Sequence, residues 1–221
     1  MSYRRFARLV VPTVALVLAL VAPLAAAESA PAAAAPAAQE ALSTSNEAVT
    51  AHLEKTRALF LASITNLTPE QWAWKAAPDR WSIGECAEHL VRTESLLRGL
   101  TADAAAKPTA PELLAKSHGK SAQVLAMVTD RTTKFQSPEG ANPAQQGTTR
   151  AYAEVVRDFN FERGRTYELA ASRADLEAHA GMHPGFQELD LAAWFYFLSG
   201  HTERHTKQID EVKASPGFPK S

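Results

Sequence analysis

The sequence predicts an all-α protein, a four-helix bundle with a long crossover between its second and third long helices. Three observations carry that prediction. Four long segments place apolar residues at 3–4-residue steps, the period of a helix with one buried face. No segment alternates convincingly as a strand. Two of the three connections between the long helices are short and one, from Ala102 to Gly147, is long.

The first helix is expected from about Ser45 to Leu67, with Val49, Leu53, Thr56, Phe60, Ile64 and Leu67 along one side. Thr68-Pro69-Glu70-Gln71 then reads as a fresh helical start with proline in the first turn. The second long helix begins at Ser82. Its hydroxyl can cap the first turn, Glu85 three residues on completes a capping box, and Trp81 can staple onto Cys86. The inner face of that helix holds Ile83, Cys86, His89, Leu90, Thr93, Leu97 and Leu100. The long connection contains a shorter amphipathic stretch around Ser121 to Thr132. A third long helix is expected over Thr148 to Arg173, with Val155, Phe159, Thr166 and Leu169 on its stripe. After the loop His183-Pro184-Gly185-Phe186, Asp190 is placed to cap a fourth helix that runs to about Lys213, where Pro216-Gly217 ends it.

The N-terminal part reads as something other than bundle. Arg4, Arg5 and Arg8 precede an apolar run from Leu9 to Ala26 that is broken by Pro12 and Pro23, and Ala25-Ala26-Ala27 offers a small-residue cleavage site. Residues 1–27 are therefore expected to be a signal peptide, with export to the periplasm or beyond. Arg4-Arg5 leaves both the general and the twin-arginine routes open. Residues 28–42, rich in alanine and proline, are expected to be a disordered linker. The bundle domain is then 43–214 and the tail 215–221. No stable membrane insertion is expected after cleavage. Loss of three arginines takes the formal net charge from −1 to −4, which offers nothing to nucleic acid or to an anionic membrane surface. With one cysteine, Cys86, an internal disulfide and a four-cysteine zinc site are both excluded.

The chemistry centres on His201-Thr202-Glu203-Arg204-His205. Imidazoles four residues apart stand side by side on a helix, the spacing that lets both reach one metal ion. Trp194, Leu198, His201, His205 and Ile209 share a stripe, so both imidazoles face the core. His89 lies on the inner stripe of the second long helix, where it can meet the pair. Three neutral histidines on one side of a cation leave positions open for water or substrate. Gln208, seven residues from His201, is placed to orient a ligand's other nitrogen, and His183 to border the site. Glu85 is explained by its cap, and Cys86 by packing as a small apolar residue. Trp72, Trp74 and Trp81 are expected to pack at the end of the bundle, and Lys134 to be a solvated loop residue. No Ser-His-Asp order or acid pair stands out.

Trp81-Ser82-Ile83, His89-Leu90 and the run from His201 to Ile209 together resemble the DinB superfamily of four-helix-bundle proteins. Arg131 to Phe135, Pro138-Glu139, His183-Pro184 and Trp194 fall where that family commonly has similar residues, and the resemblance spans nearly all of 43–214. It implies that His89, His201 and His205 bind a divalent cation, zinc or nickel. Some members are thiol S-transferases or thiol-dependent isomerases. The expected activity is that of a metal-dependent hydrolase or transferase acting on a small-molecule substrate. A bundle that binds metal or a small molecule without turnover, and a structural bundle with no metal, are the alternatives. Whether two bundles pair as a homodimer is not decided by the sequence.

Overall fold

The computed structural model describes residues 41–137, 140–143 and 150–220. The expected signal peptide, nearly all of the expected linker, and Pro138-Glu139 lie outside the described residues. Among the described residues there are seven helices and one two-stranded hairpin: α1 (Asn46–Ile64), α2 (Pro69–Ala73), α3 (Ile83–Ala105), α4 (Pro111–Ser117), α5 (Ser121–Thr129), α6 (Tyr152–Ala171), β1 (Ala180–His183), β2 (Gln187–Asp190) and α7 (Leu191–Lys213). None of these helices is long and apolar enough to cross a membrane.

The starts read from the sequence at Ser45, Thr68, Ser82 and Asp190 are where helices begin, each with a side-chain cap. Ser45 accepts from Ala48 N–H at α1, Thr68 and Gln71 form a capping box at α2, Ser82 and Glu85 form one at α3, and Asp190 accepts from Ala193 N–H at α7. α1 stops at Ile64, before the expected Leu67, because Thr65 is extended and Asn66 turns left-handed at φ 59°. α6 starts at Tyr152, later than the expected Thr148. α3 runs on to Ala105, into the stretch expected to be connection.

Side-chain ties across the bundle fix the helix directions. His52 meets Ser199 and Lys213 meets the Ser63 carbonyl, so α1 and α7 are parallel. Arg57 meets Asn160, and Asn46 reaches the Ala171 carbonyl, so α6 runs against α1. Arg150 N–H and Arg163 reach Glu88 and Glu94, which makes α6 parallel to α3. The order is up, down, down, up, with α1 and α3 each packed on both α6 and α7. This explains the long crossover. Two adjacent parallel helices need a connection that travels back the length of the bundle, whereas antiparallel neighbours need only a turn.

The crossover also adds a wall. α5 packs along α7, at a place where a Cβ on Gly200 would meet Val128 Cγ1 at 2.5 Å and Leu125 Cδ1 at 2.8 Å. Glycine at this position is what lets α5 approach so closely. With α1, α3 and α5 all against it, α7 is buried on every side from Leu191 to Gly200, where the sequence suggested a single apolar stripe.

The hairpin is the element that periodicity did not announce. His183 pairs with Gln187 and Ala180 with Asp190. At four residues each, the strands are too short to show a clear alternation. The turn is closed by Gln187 at φ 62° and by His183 Nδ1, which accepts from Gly185 N–H (3.0 Å) and Phe186 N–H (3.2 Å).

Candidate metal centre

His89 comes from the second turn of α3, and His201 and His205 from successive turns of α7. Because α3 and α7 are antiparallel neighbours, the three rings meet. His201 Nε2 lies 3.2 Å from His89 Nε2 and 3.2 Å from His205 Nε2. Bonds of about 2.05 Å would set ligand nitrogens about 3.3 Å apart in a tetrahedron and about 2.9 Å apart in an octahedron. The observed spacing falls between the two.

The hydrogen bonds on the far side of each ring decide what these nitrogens present. His89 Nδ1 is 2.7 Å from the Ala141 carbonyl, which can only accept, so Nδ1 carries the proton and Nε2 a lone pair. His205 Nδ1–H likewise donates to Gln208 Oε1 at 2.9 Å. His201 Nδ1 faces Thr93 Oγ at 3.5 Å, and the Thr93 proton is already given to the His89 carbonyl at 2.7 Å. That leaves Thr93 as an acceptor, which suits an Nδ1–H tautomer of His201 when its Nε2 serves a cation. Three Nε2 lone pairs then converge with no proton between them, an arrangement that is repulsive alone and that a divalent cation satisfies. The donor set therefore fits a cation.

Protons do not fill the gap near neutral pH. Burial lowers the His89 pKa to about 4, against the opposing pull of the Ala141 carbonyl. Burial also pushes His205 and His201 well below the ordinary imidazole range, with the neighbouring imidazoles acting in the same direction. All three are neutral and ready to ligate.

Aromatic rings bracket the cluster. Trp81 stacks on His205 at 5.9 Å and 16°, and tilts over His89 at 4.9 Å. Phe197 stacks on His201 at 6.0 Å and 17°. A cavity of about 650 Å³ opens beside the imidazoles, with His89, His201, His205, Thr93, Trp81 and Gln208 on its wall. His183 lines the same cavity, packed on Phe197 at 4.3 Å and Trp194 at 4.8 Å, and its Nδ1 serves the hairpin turn and not a triad imidazole.

The three tryptophans read together as end packing divide. Trp72 and Trp74 pack edge-on against Tyr152 and Phe218, while Trp81 roofs the imidazoles. Lys134 is exposed, as expected, but on the cavity rim. Cys86 is fully buried with its thiol pKa pushed up by burial, apart from the imidazole cluster. Sequence reasoning missed the Ala141 carbonyl, because a backbone acceptor from a long crossover leaves no signal in residue type. It also passed over Thr93 as a partner, although its place one turn beyond His89 on the same stripe was readable.

The DinB superfamily model matches residues 52–209, which takes in all or most of each long helix and all three histidines. The chain belongs to the DinB superfamily. A relative, the uncharacterized protein YuaE of Bacillus subtilis (strain 168), is 24% identical over 151 residues, covering 68% of this chain and 88% of YuaE. Among solved structures, YfiT from Bacillus subtilis is similar with a TM-score of 0.55 at 13% identity, covering 79% of this chain and 89% of YfiT. YfiT is described as a probable metal-dependent hydrolase with an unusual four-helix bundle topology. That likeness shows the fold of this DinB protein, whose up-down-down-up order departs from a simple up-down bundle.

Proposed function

We propose that this DinB protein is a metal-dependent hydrolase of small molecules, with His89, His201 and His205 holding one divalent cation, zinc or nickel. The observation that carries the reading is the convergence of three Nε2 lone pairs on one point at the wall of an open cavity. All three imidazoles stand on the cavity wall, so a cation that they held would be within reach of a molecule in the cavity, as in catalytic and not structural sites. A divalent cation in such a site supplies Lewis acidity, which makes water a nucleophile near neutral pH. The chain's own contribution is orientation. Ala141, Gln208 and Thr93 fix the three tautomers, Trp81 and Phe197 fix the ring planes, and burial keeps protons off the ligating nitrogens. The description of YfiT supports the same reaction class. The N-terminal sequence supports action outside the cytoplasm, away from the thiol pools that the family's S-transferases use.

The test uses the full chain, stripped with chelator and reloaded with zinc or nickel, against a panel of ester, amide and thiol-conjugation substrates. Hydrolysis that disappears with chelator and returns with metal is expected. Turnover that persists after complete metal removal overturns the mechanism.

A further inference from the structure

The cavity beside the imidazoles is divided along its length. On α7 its wall runs Phe197, His201, His205, Gln208, Glu211, a span of about 21 Å at 1.5 Å per residue. The antiparallel α3 lines the facing side in the opposite sense, from Leu100, Leu97 and Leu96 through Thr93 to His89, with Trp81 just ahead of the helix. The imidazoles thus lie in the middle. Toward the hairpin, the wall is Leu96, Leu97, Leu100, Phe186 and Phe197, backed by Val128 of α5. Toward the other end it is Asp79, Arg80, Arg131, Gln208 and Glu211, a polar end with both charge signs, with Arg131 held by both carboxylate oxygens of Glu211 at 2.8 and 3.0 Å.

The apolar half is not closed off as core. Leu96 is 48% exposed although it borders the cavity, and Leu100 and Phe186 are only partly buried. An apolar wall left open to water beside polar groups at one fixed point is the pattern of a small-molecule site in which the polar groups hold the reacting atoms and the wall holds a hydrocarbon part.

We propose that the substrate is an acyl compound, an ester or amide, whose alkyl or aryl arm lies against Leu96, Leu100 and Phe186, with its polar leaving part directed toward Arg80 and Arg131. This rests on the metal-dependent reading above and narrows its substrate class. In the reaction, water oxygen bonds to the acyl carbon, the carbon–oxygen or carbon–nitrogen bond breaks, and the leaving alcohol or amine takes up a proton. The products are a fatty or aromatic carboxylic acid and a polar alcohol or amine.

Alkyl hydroxamates test the arm without needing the true substrate, because the head chelates a metal and the chain extends where the acyl group would lie. Titration calorimetry of the zinc-loaded full chain with two-, four-, six- and eight-carbon hydroxamates is expected to show affinity rising about fourfold per added methylene. Leu96→Asp, a change at an exposed position, is expected to flatten that series while metal content stays at one per chain. A two-carbon hydroxamate that binds, followed by no gain with chain length, overturns the acyl-arm proposal and leaves the metal centre standing. A gain that survives Leu96→Asp and Leu100→Asn unchanged overturns it as well, by placing the arm elsewhere. Failure of even the two-carbon compound to bind the loaded protein removes the open metal centre, and the proposal with it.

Discussion

Two buried polar constellations sit side by side across this bundle, on neighbouring residues of the same helices. In one, Arg163 of α6 gives both ends of its fork to Glu94 at 2.8 and 2.9 Å, and reaches the Leu53 carbonyl, Thr56 and Thr202. In the other, His89, His201 and His205 turn their Nδ1 atoms outward to Ala141, Thr93 and Gln208 and their Nε2 atoms toward each other. Glu94 follows Thr93, and Thr202 follows His201. The difference lies in what is left over. The arginine group closes on itself, five contacts for a cation and its carboxylate, and has no face on the cavity. The histidine group satisfies its outer atoms and leaves three inner lone pairs without a proton, on a cavity wall. Both groups are polar and His89 and His205 are as buried as most of the arginine group, so neither property alone identifies a functional site here. The informative property is convergence of unsatisfied atoms on a point that a ligand can reach.

The largest expected effect is on the closed group. Arg163→Met removes a partner from a carboxylate that is 2% exposed, and a loss of about 3–5 kcal/mol in unfolding free energy is expected by urea denaturation. A loss under about 1 kcal/mol would erase the structural half of the contrast. The histidine group should behave the other way. His201→Ala is expected to bring metal from one per chain to background by elemental analysis, while the metal-free melting midpoint moves by no more than about 4 °C. In the unsubstituted chain, zinc at a hundredfold excess over its Kd should add about 2.7 kcal/mol of stability, and the variant should gain none. Metal content unchanged in both His201→Ala and His205→Ala would remove the site.

The outer bonds of the triad predict a smaller change. Gln208→Leu deprives His205 Nδ1–H of its acceptor and is expected to weaken metal binding about 10- to 100-fold without abolishing it. Affinity equal to that of the unsubstituted chain would make Gln208 an ordinary surface amide. Smallest is the cap that starts α3 and so sets the height of His89. Ser82→Ala is expected to cost about 1 kcal/mol, read as a lowered denaturation midpoint with metal stoichiometry intact.

Much of this arrangement was legible in residue order, for identifiable reasons. Helix starts depend on local hydrogen bonds between residues three apart, so Ser45, Ser82 with Glu85, and Asp190 announce α1, α3 and α7 without reference to the rest of the chain. The inward stripe of α3 and the four-residue spacing on α7 likewise needed only helical period, which is why His89, His201 and His205 could be named together. Other features have no local signature. The Arg163–Glu94 pair joins residues 69 apart, each of which reads as an exposed charge on its own helix. The hairpin of β1 and β2 is stabilised by pairing and by packing against α3 and α4, not by the propensity of two four-residue strands.

The sequence by itself determined the helical class, the caps, the crossover and the three imidazoles that face inward, because each follows from periodicity or short-range hydrogen bonding. Only the tertiary structure decided the rest. Antiparallel packing of α3 on α7 brings the rings to 3.2 Å. The carbonyl of Ala141, far along the chain, fixes the tautomer of His89. Gly200 admits α5, whose Val128 backs the apolar end of the cavity. These are contacts between segments distant in sequence, and their energies depend on where the segments meet and not on the residues that either one contains.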